Sequence, residues 1–192
     1  QLSKYNSQIA VVINDDKFKK LSYEKINNVF FLKRHNVGMN IGAWSEAYKY
    51  FYDYENYFFS QDECFIKDFD FFDKYLSLLS NSQYGVIGET INPKWARPWK
   101  DILGSQLNYS FKINGLKIDR VAYYMDQIKK WKIPLGDNAT HLRALNLAFK
   151  RKTLDKIDGF NIGISKEQCI ASEIAISKKV ESMGLKVIQS NQ

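Results

Sequence analysis

Short continuous apolar runs, each closed by polar residues and set apart by segments with helical spacing, constrain this chain more than any other feature. Ile9–Ile13 reads Ile-Ala-Val-Val-Ile and stops at Asn14-Asp15-Asp16. Val29–Leu32 is followed by Lys33-Arg34-His35-Asn36, and Tyr57-Phe58-Phe59 gives way to Ser60-Gln61-Asp62-Glu63. Gly85–Gly88 is a fourth such run. Runs this short that do not alternate with polar residues read as strands buried on both faces. Between them, Trp44, Ala47, Tyr48, Phe51 and Tyr54 recur at helical spacing, and Phe72, Tyr75, Leu76 and Leu79 share one face of a helix over 68–79. Strands alternating with helices predict an α/β domain with a mostly parallel central sheet flanked by helices, its strand ends gathered at one edge by right-handed crossovers.

The second half follows the same grammar after an irregular stretch. Residues 90–114 carry Pro93, Trp95, Pro98 and Trp99 with little periodicity, and Asn114-Gly115 suggests a hairpin over 111–118. Helices are expected over 120–131 and 166–183, the latter closed by Gly184, with a short helix or turn over 152–157. Residues 144–149 and 185–188 read as strands, and residues 17–23 as a polar connection or short helix.

The 192 residues suffice for one domain with a sizeable core, and no apolar run approaches the length of a membrane span. The net charge of +7 suits a phosphorylated substrate, a polyanion or an anionic membrane surface. No nucleic-acid-binding signature accompanies it, so no nucleic-acid partner is expected. Cys64 and Cys169 lack metal-ligand spacing and read as buried free thiols, which fits a reducing, cytoplasmic setting, with the charge able to hold the domain peripherally at a membrane. The chain starts at Gln1 rather than Met, so it is expected to be part of a longer one.

Five places could carry chemistry. Asp15, at a strand end, suits either hydrogen bonds from a ribose or base, or a turn. Asn36-Val37-Gly38-Met39-Asn40-Ile41-Gly42 could bring backbone N–H groups and a helix N-terminus to a phosphate, with Arg34 and His35 as further donors. Gln61, Asp62 and Glu63 stand where a strand leaves the sheet; adjacent carboxylates there suit a hard divalent cation that keeps waters and phosphates as its other ligands. Glu173 lies beside the apolar face of the long helix and could serve as a general base, or could be a surface residue. Trp95 and Trp99 could stack on a sugar or pack a small core, and His141, near Asp137, could be a phosphate or metal ligand or a structural residue.

In this order the pieces resemble the A-fold nucleotide-sugar glycosyltransferases, particularly the inverting family 2 group. The apolar strand ending Asn14-Asp15, the Asn36-x-Gly38 turn before a helix, Ser60-Gln61-Asp62-Glu63 at the place of the Asp-x-Asp motif, and Asp158-Gly159-Phe160 with Ser172-Glu173 and Gly184 carry the resemblance across nearly the whole chain. Lys150-Arg151 matches a basic pair common there. The resemblance implies a single Rossmann-like domain with a nucleotide-sugar half (1–88) and an acceptor half (89–192). It implies inverting transfer from a nucleoside diphosphate sugar, UDP-sugar favoured, to a hydroxyl of a glycan or glycolipid. Asp15, Arg34, Asn36, Gly38, Gln61 and Asp62 would hold the donor, and Asp62 with Glu63 would hold Mn2+ or Mg2+. Glu173 would be the base, and Trp95, Trp99 and His141 would meet the acceptor. A sugar nucleotidyltransferase and a non-catalytic carbohydrate- or polyanion-binding domain are the alternatives.

Overall fold

A computed structural model describes residues 7–67, 70–105, 110–113 and 115–191. The helix start at Asp68 and Phe69 and the hairpin residue Asn114 lie outside the described residues. In chain order the elements are β1 (Ile9–Asn14), β2 (Ser22–Ile26), β3 (Val29–Arg34), α1 (Met39–Tyr50), β4 (Asn56–Ser60), α2 (Asp70–Ser80) and β5 (Tyr84–Gly88). A single turn at Pro93–Trp95 and a four-residue helix, α3 (Trp99–Ile102), follow. Then come β6 (Ser110–Ile113), β7 (Leu116–Asp119), α4 (Arg120–Lys130), β8 (Asn146–Lys150), α5 (Arg151–Lys156), α6 (Lys166–Ser182) and β9 (Lys186–Gln189). No helix among the described residues is long and apolar enough to cross a membrane.

The centre is a four-stranded sheet in the order β4-β8-β5-β9, and period-2 alternation sorts its side chains into two cores. Tyr57, Phe59, Val86, Leu147, Phe149 and Val187 point to one face, where Ile41 and Trp44 of α1 and Ile176 and Val180 of α6 meet them. Phe58, Ile87, Ala148 and Ile188 point to the other, under Tyr75 and Leu79 of α2. Helices therefore cover both faces, which is why these strands read as continuous apolar runs. A third core, built on Trp99, Tyr124, Ile128, Ala171 and Ile174, joins α4 to the far side of α6.

The expected single, mostly parallel sheet is not what forms. The strands fall into a three-stranded sheet (β1-β3-β2), the four-stranded sheet and the two-stranded β6–β7 hairpin. Strand β8 lies antiparallel between β4 and β5, and β2 pairs antiparallel with β3, so that among the described residues only β1–β3 and β5–β9 are parallel. Side-chain periodicity records which face a residue takes and says nothing of strand direction, so the run at β8 could not disclose its reversal. Strand β2 (Ser-Tyr-Glu-Lys-Ile) is exposed along its whole length, so it offers no buried stripe and reads as a connection. Strand β1 pairs in parallel as expected but is not buried: Ile9, Val11 and Ile13 are exposed. The thiols are free, Cys169 buried and Cys64 only half-buried.

Two glycines shape the entry to α1. Gly38 has φ +78°, the left-handed region that L side chains rarely adopt, and packs against Ile162. A methyl at Gly42 would lie 1.9 Å from the Val37 carbonyl oxygen, which is backbone and cannot swing aside. Gly42→Ala should destabilise the fold by about 3 kcal/mol, as overpacking does. Gly104→Ala, with φ +68° but no atom within 4 Å, should cost only about 1 kcal/mol of strain. Urea midpoints of the two variants check the ordering.

Candidate active site

The carboxyl ends of β1, β4 and β5 and one side of α6 come together around the segment 138–146, which precedes and enters β8. The peptide groups flanking Ala144 are the meeting point. The Ala144 N–H donates to Glu173 Oε2 at 2.9 Å. Its carbonyl accepts from Asn40 Nδ2, in the first turn of α1, at 3.0 Å and from Gln61 Nε2, just past β4. The Gln61 N–H also donates to the next carbonyl, Leu145, at 3.0 Å. Three remote parts of the chain are thereby tied to one residue.

Glu173 is held rather than loose. Its second oxygen, Oε1, lies 3.6 Å from His141 Nε2; the Glu173 side chain keeps about a quarter of its surface open (26%) while that of His141 is buried (2%). His141 Nδ1 sits 2.8 Å from the Ala139 carbonyl, which can only accept, so Nδ1 carries a proton and the ring turns its Nε2 edge to Glu173. Trp95 packs edge-on to the imidazole at 5.5 Å and is half-buried, so it closes one side of this corner. Trp99 does not reach it: its ring is buried in the α4–α6 core and its indole N–H donates to the Leu135 carbonyl. Trp99 is a packing residue in this structure.

The residues expected to hold a nucleotide sugar gather at the ends of β1, β3 and β4, and several are engaged in local structure. Arg34 spans the β3–α1 turn, its two Nη groups donating to Asn14 Oδ1 (2.7 Å) and the Val37 carbonyl (2.9 Å). Asn14 in turn donates to the Met39 carbonyl, fastening β1's end to the start of α1. Asn36 is exposed and lines the cleft beside β1, while Gly38 is buried against Ile162, so its lack of a side chain serves packing and backbone conformation. No side chain caps the N-terminus of α1. Asp15 takes the turn role: its carboxylate accepts from the Lys17 backbone N–H and pairs with the Lys17 ammonium at 2.8 Å.

Asp62 and Glu63 stand in the turn directly after β4, both exposed, with the Cys64 N–H returning to the Gln61 carbonyl. Among the described residues no group of three His, Cys, Asp or Glu is arranged to hold a metal ion unaided. A further carboxylate, Glu89, escaped the sequence reading. It follows β5 and accepts from Asn146 Nδ2 at 2.9 Å, while Asn146 Oδ1 accepts from Ser60 at 2.6 Å. The signal was present, since Glu89 follows an apolar run just as Asp15 and Asp62 do. Asn40 and Asn146 had no such signal, because their role is to bridge elements distant in sequence. The Ser172 and Ser177 hydroxyls accept from the Gly163 and Leu142 N–H groups, and Lys178, buried at 1%, donates to the Asn138 carbonyl and pairs with Glu181.

Comparison with protein-family models, with curated proteins and with solved structures found no match to this chain.

The Asp15 turn has a pH signature. Hydrogen bonds from the Lys17 side chain, then from its backbone N–H, hold the Asp15 carboxyl below its ordinary 3.8. A carboxyl depressed in the folded state stabilises above its unfolded value, and that contribution is lost as pH falls through the folded one. Carboxyl NMR titration should place the Asp15 midpoint below 3.8, and Lys17→Met should move it upward; a midpoint at or above 3.8 in the unmutated chain contradicts the turn.

Proposed function

We propose that this chain is a glycosyltransferase, moving a sugar from a nucleoside diphosphate sugar to an acceptor hydroxyl. The observation that carries the reading is the convergence on Ala144. One residue ties the start of α1, the acidic end of β4 and the carboxylate of Glu173, and these are the groups that donor binding and acceptor activation would each require.

Glu173 is the general base. Oε2 is anchored by the Ala144 N–H, and the Glu173 side chain is partly exposed, which leaves Oε1 as the oxygen to receive a proton. The acceptor hydroxyl gives its proton to Oε1 as its oxygen bonds to the anomeric carbon. The bond from that carbon to the diphosphate oxygen breaks, and its electron pair leaves on the diphosphate, so the anomeric configuration inverts. The hydrogen bond from the Ala144 N–H restricts where the carboxylate can sit, and such a displacement is sensitive to shifts of about 1 Å. His141 and Trp95 form the acceptor side of this corner, and Asn36, Gln61 and Asp62 the donor side. Asp15 and Arg34 support it by shaping the turns at the ends of β1 and β3.

Asp62 and Glu63 are adjacent oxygen donors in the open, which suits Mn2+ or Mg2+ arriving with a diphosphate and keeping water in its remaining positions. Bound there, such an ion would neutralise charge on the departing nucleotide. A non-catalytic glycan-binding face built on Trp95 and Trp99 has less support, because Trp99 offers no exposed ring.

The test is a thermal-shift titration with UDP, GDP and dTDP, each with Mn2+ and with EDTA, followed by a transfer assay. One nucleotide should raise Tm in a metal-dependent way, by about 2.7 kcal/mol of stabilisation at one hundred times Kd, and Asp62→Ala should lose the shift. Glu173→Gln keeps an acceptor for the Ala144 N–H, so it should fold and bind nucleotide while transfer falls about 10²–10⁴-fold. Full transfer by Glu173→Gln removes the base assignment. Pyrophosphate as the product, in place of nucleoside diphosphate, makes the chain a nucleotidyltransferase.

A further inference from the structure

The four-stranded sheet ends in a polar layer at the edge where Asp62 and Glu63 stand. On the face under α2, Phe58, Ala148, Ile87 and Ile188 lie side by side across β4, β8, β5 and β9 as an apolar row. One period-2 step further along, the same four strands bring Ser60, Asn146, Glu89 and Ser190 to that face. Register sets Ser60 opposite Asn146, and Glu89 and Ser190 each follow a paired residue, Gly88 and Gln189. Ser190 is closed off by the Tyr75 hydroxyl of α2 at 3.3 Å. The other three form a line of hydrogen bonds that ends at the turn after β4.

That line has a direction. A carboxylate oxygen only accepts, so Glu89 Oε2, at 2.9 Å, faces the Nδ2 group of Asn146. Asn146 Oδ1 is thereby turned to Ser60, whose hydroxyl donates to it at 2.6 Å. Asn146 is buried at 4%, so its partners are these two side chains rather than bulk water. The Ser60 hydroxyl has one hydrogen to give. With that hydrogen on Asn146, the Gln61 carbonyl, 3.2 Å from Ser60 Oγ, is left to the Cys64 N–H at 3.1 Å. This last bond closes the turn over Asp62 and Glu63, and the Gln61 N–H on the Leu145 carbonyl holds its near end. With the Asn146 amide reversed, Nδ2 would donate to Ser60, and the hydroxyl hydrogen would compete with Cys64 for the Gln61 carbonyl.

We propose that Glu89 is a positioning residue: through Asn146 and Ser60 it sets the turn Gln61–Cys64 that carries Asp62 and Glu63. It acts through the orientation of one buried amide. The use of the turn, to hold two carboxylates ready for a metal-bound diphosphate, rests on the transferase reading; the relay from Glu89 to the turn does not.

Amide hydrogen exchange on the whole chain, without ligand, tests the relay. Glu89→Leu removes the acceptor at similar size, and the Gln61 and Cys64 amides should exchange about tenfold faster, as loss of a buried hydrogen-bond partner produces. Ser60→Ala should do the same, and the double variant should exceed either single by no more than about twofold, because both act along one path. Glu89→Gln keeps an acceptor for Asn146 and should leave the turn unchanged. Amides pairing β5 with β9 should stay protected throughout, which reports an intact sheet. The relay is overturned if Glu89→Leu leaves the turn as protected as before, if the two effects add, or if Glu89→Gln loosens the turn as much as Glu89→Leu. Should Glu89→Leu fail to fold, Ser60→Ala decides: a loosened turn supports the relay and an unchanged one overturns it. In the titration with UDP and Mn2+, Glu89→Leu should raise the nucleotide concentration at half-maximal Tm shift about tenfold, and raise the donor KM more than it lowers kcat, while Glu89→Gln matches the unmutated chain. No Tm shift with any nucleotide in the unmutated chain counts against the transferase, and exchange alone then judges the relay.

Discussion

The polar row along one side of α6 is the constraint on which the rest depends. Ser172, Glu173, Ser177 and Lys178 sit within a helix whose other side chains are largely apolar and buried, and each answers a backbone group of an irregular segment. As the helix advances through 173, 177 and 178, the partner segment retreats through Ala144, Leu142 and Asn138. A loop cannot be buried with its N–H and C=O groups unpaired, since each orphan costs about 1–3 kcal/mol. The helix supplies part of the hydrogen bonding, and backbone groups of residues 90–97 supply more, with the Asn92 N–H donating to the His141 carbonyl and the Ala139 and Arg143 N–H groups donating to the Arg97 and Thr90 carbonyls, so the segment 138–145 can run irregularly before β8 begins.

That arrangement has a consequence for chemistry. A segment fixed by a helix on one side is free to receive side chains on the other, and Asn40 and Gln61 take that opportunity at the Ala144 carbonyl. Glu173 belongs to the supporting row and faces the open corner as well, with His141 beneath it. Glu173 is held by the same bonds that hold the fold, so its position is set by its partners rather than by its own rotamer freedom. Asp62 and Glu63 are placed differently: they ride on an exposed turn.

How much of this could be read from residue order is clear at particular positions. Strands β3, β4 and β5 and helices α1, α4 and α6 were legible, because continuous apolar runs and 3.6-residue spacing report burial; β1 was legible as a strand from its apolar run, although none of its residues is buried. Strand β2 was not, because Ser22, Glu24 and Lys25 interrupt any apolar run. The turn at Pro93–Trp95 and helix α3 were lost among prolines and aromatics whose contacts are tertiary. In the site, the acidic residues closing strands were legible as a pattern, and Glu173 as a carboxylate beside an apolar face. Asn40, Asn146 and Ala144 were invisible: an asparagine that bridges two elements looks like any other, and Ala144 acts through its backbone alone. Trp99 went the other way, legible as a candidate ring for a sugar and buried by the fold beneath α4 and α6.

By itself, then, the order of residues determined most of the strands and helices that pack into the two faces of the central sheet, because burial of apolar side chains is a local, periodic demand; it did not disclose β2 or α3, nor the exposure of β1. It also determined that carboxylates would stand at several strand ends. Tertiary structure alone decided strand direction, the partition into separate sheets and the company Glu173 keeps. Those depend on pairings between residues 29 positions apart, as Glu173 with Ala144, or 86 apart, as Ser60 with Asn146, and on backbone hydrogen bonds. Backbone groups are the same in every residue but proline, so no pattern of side chains announces which of them will meet.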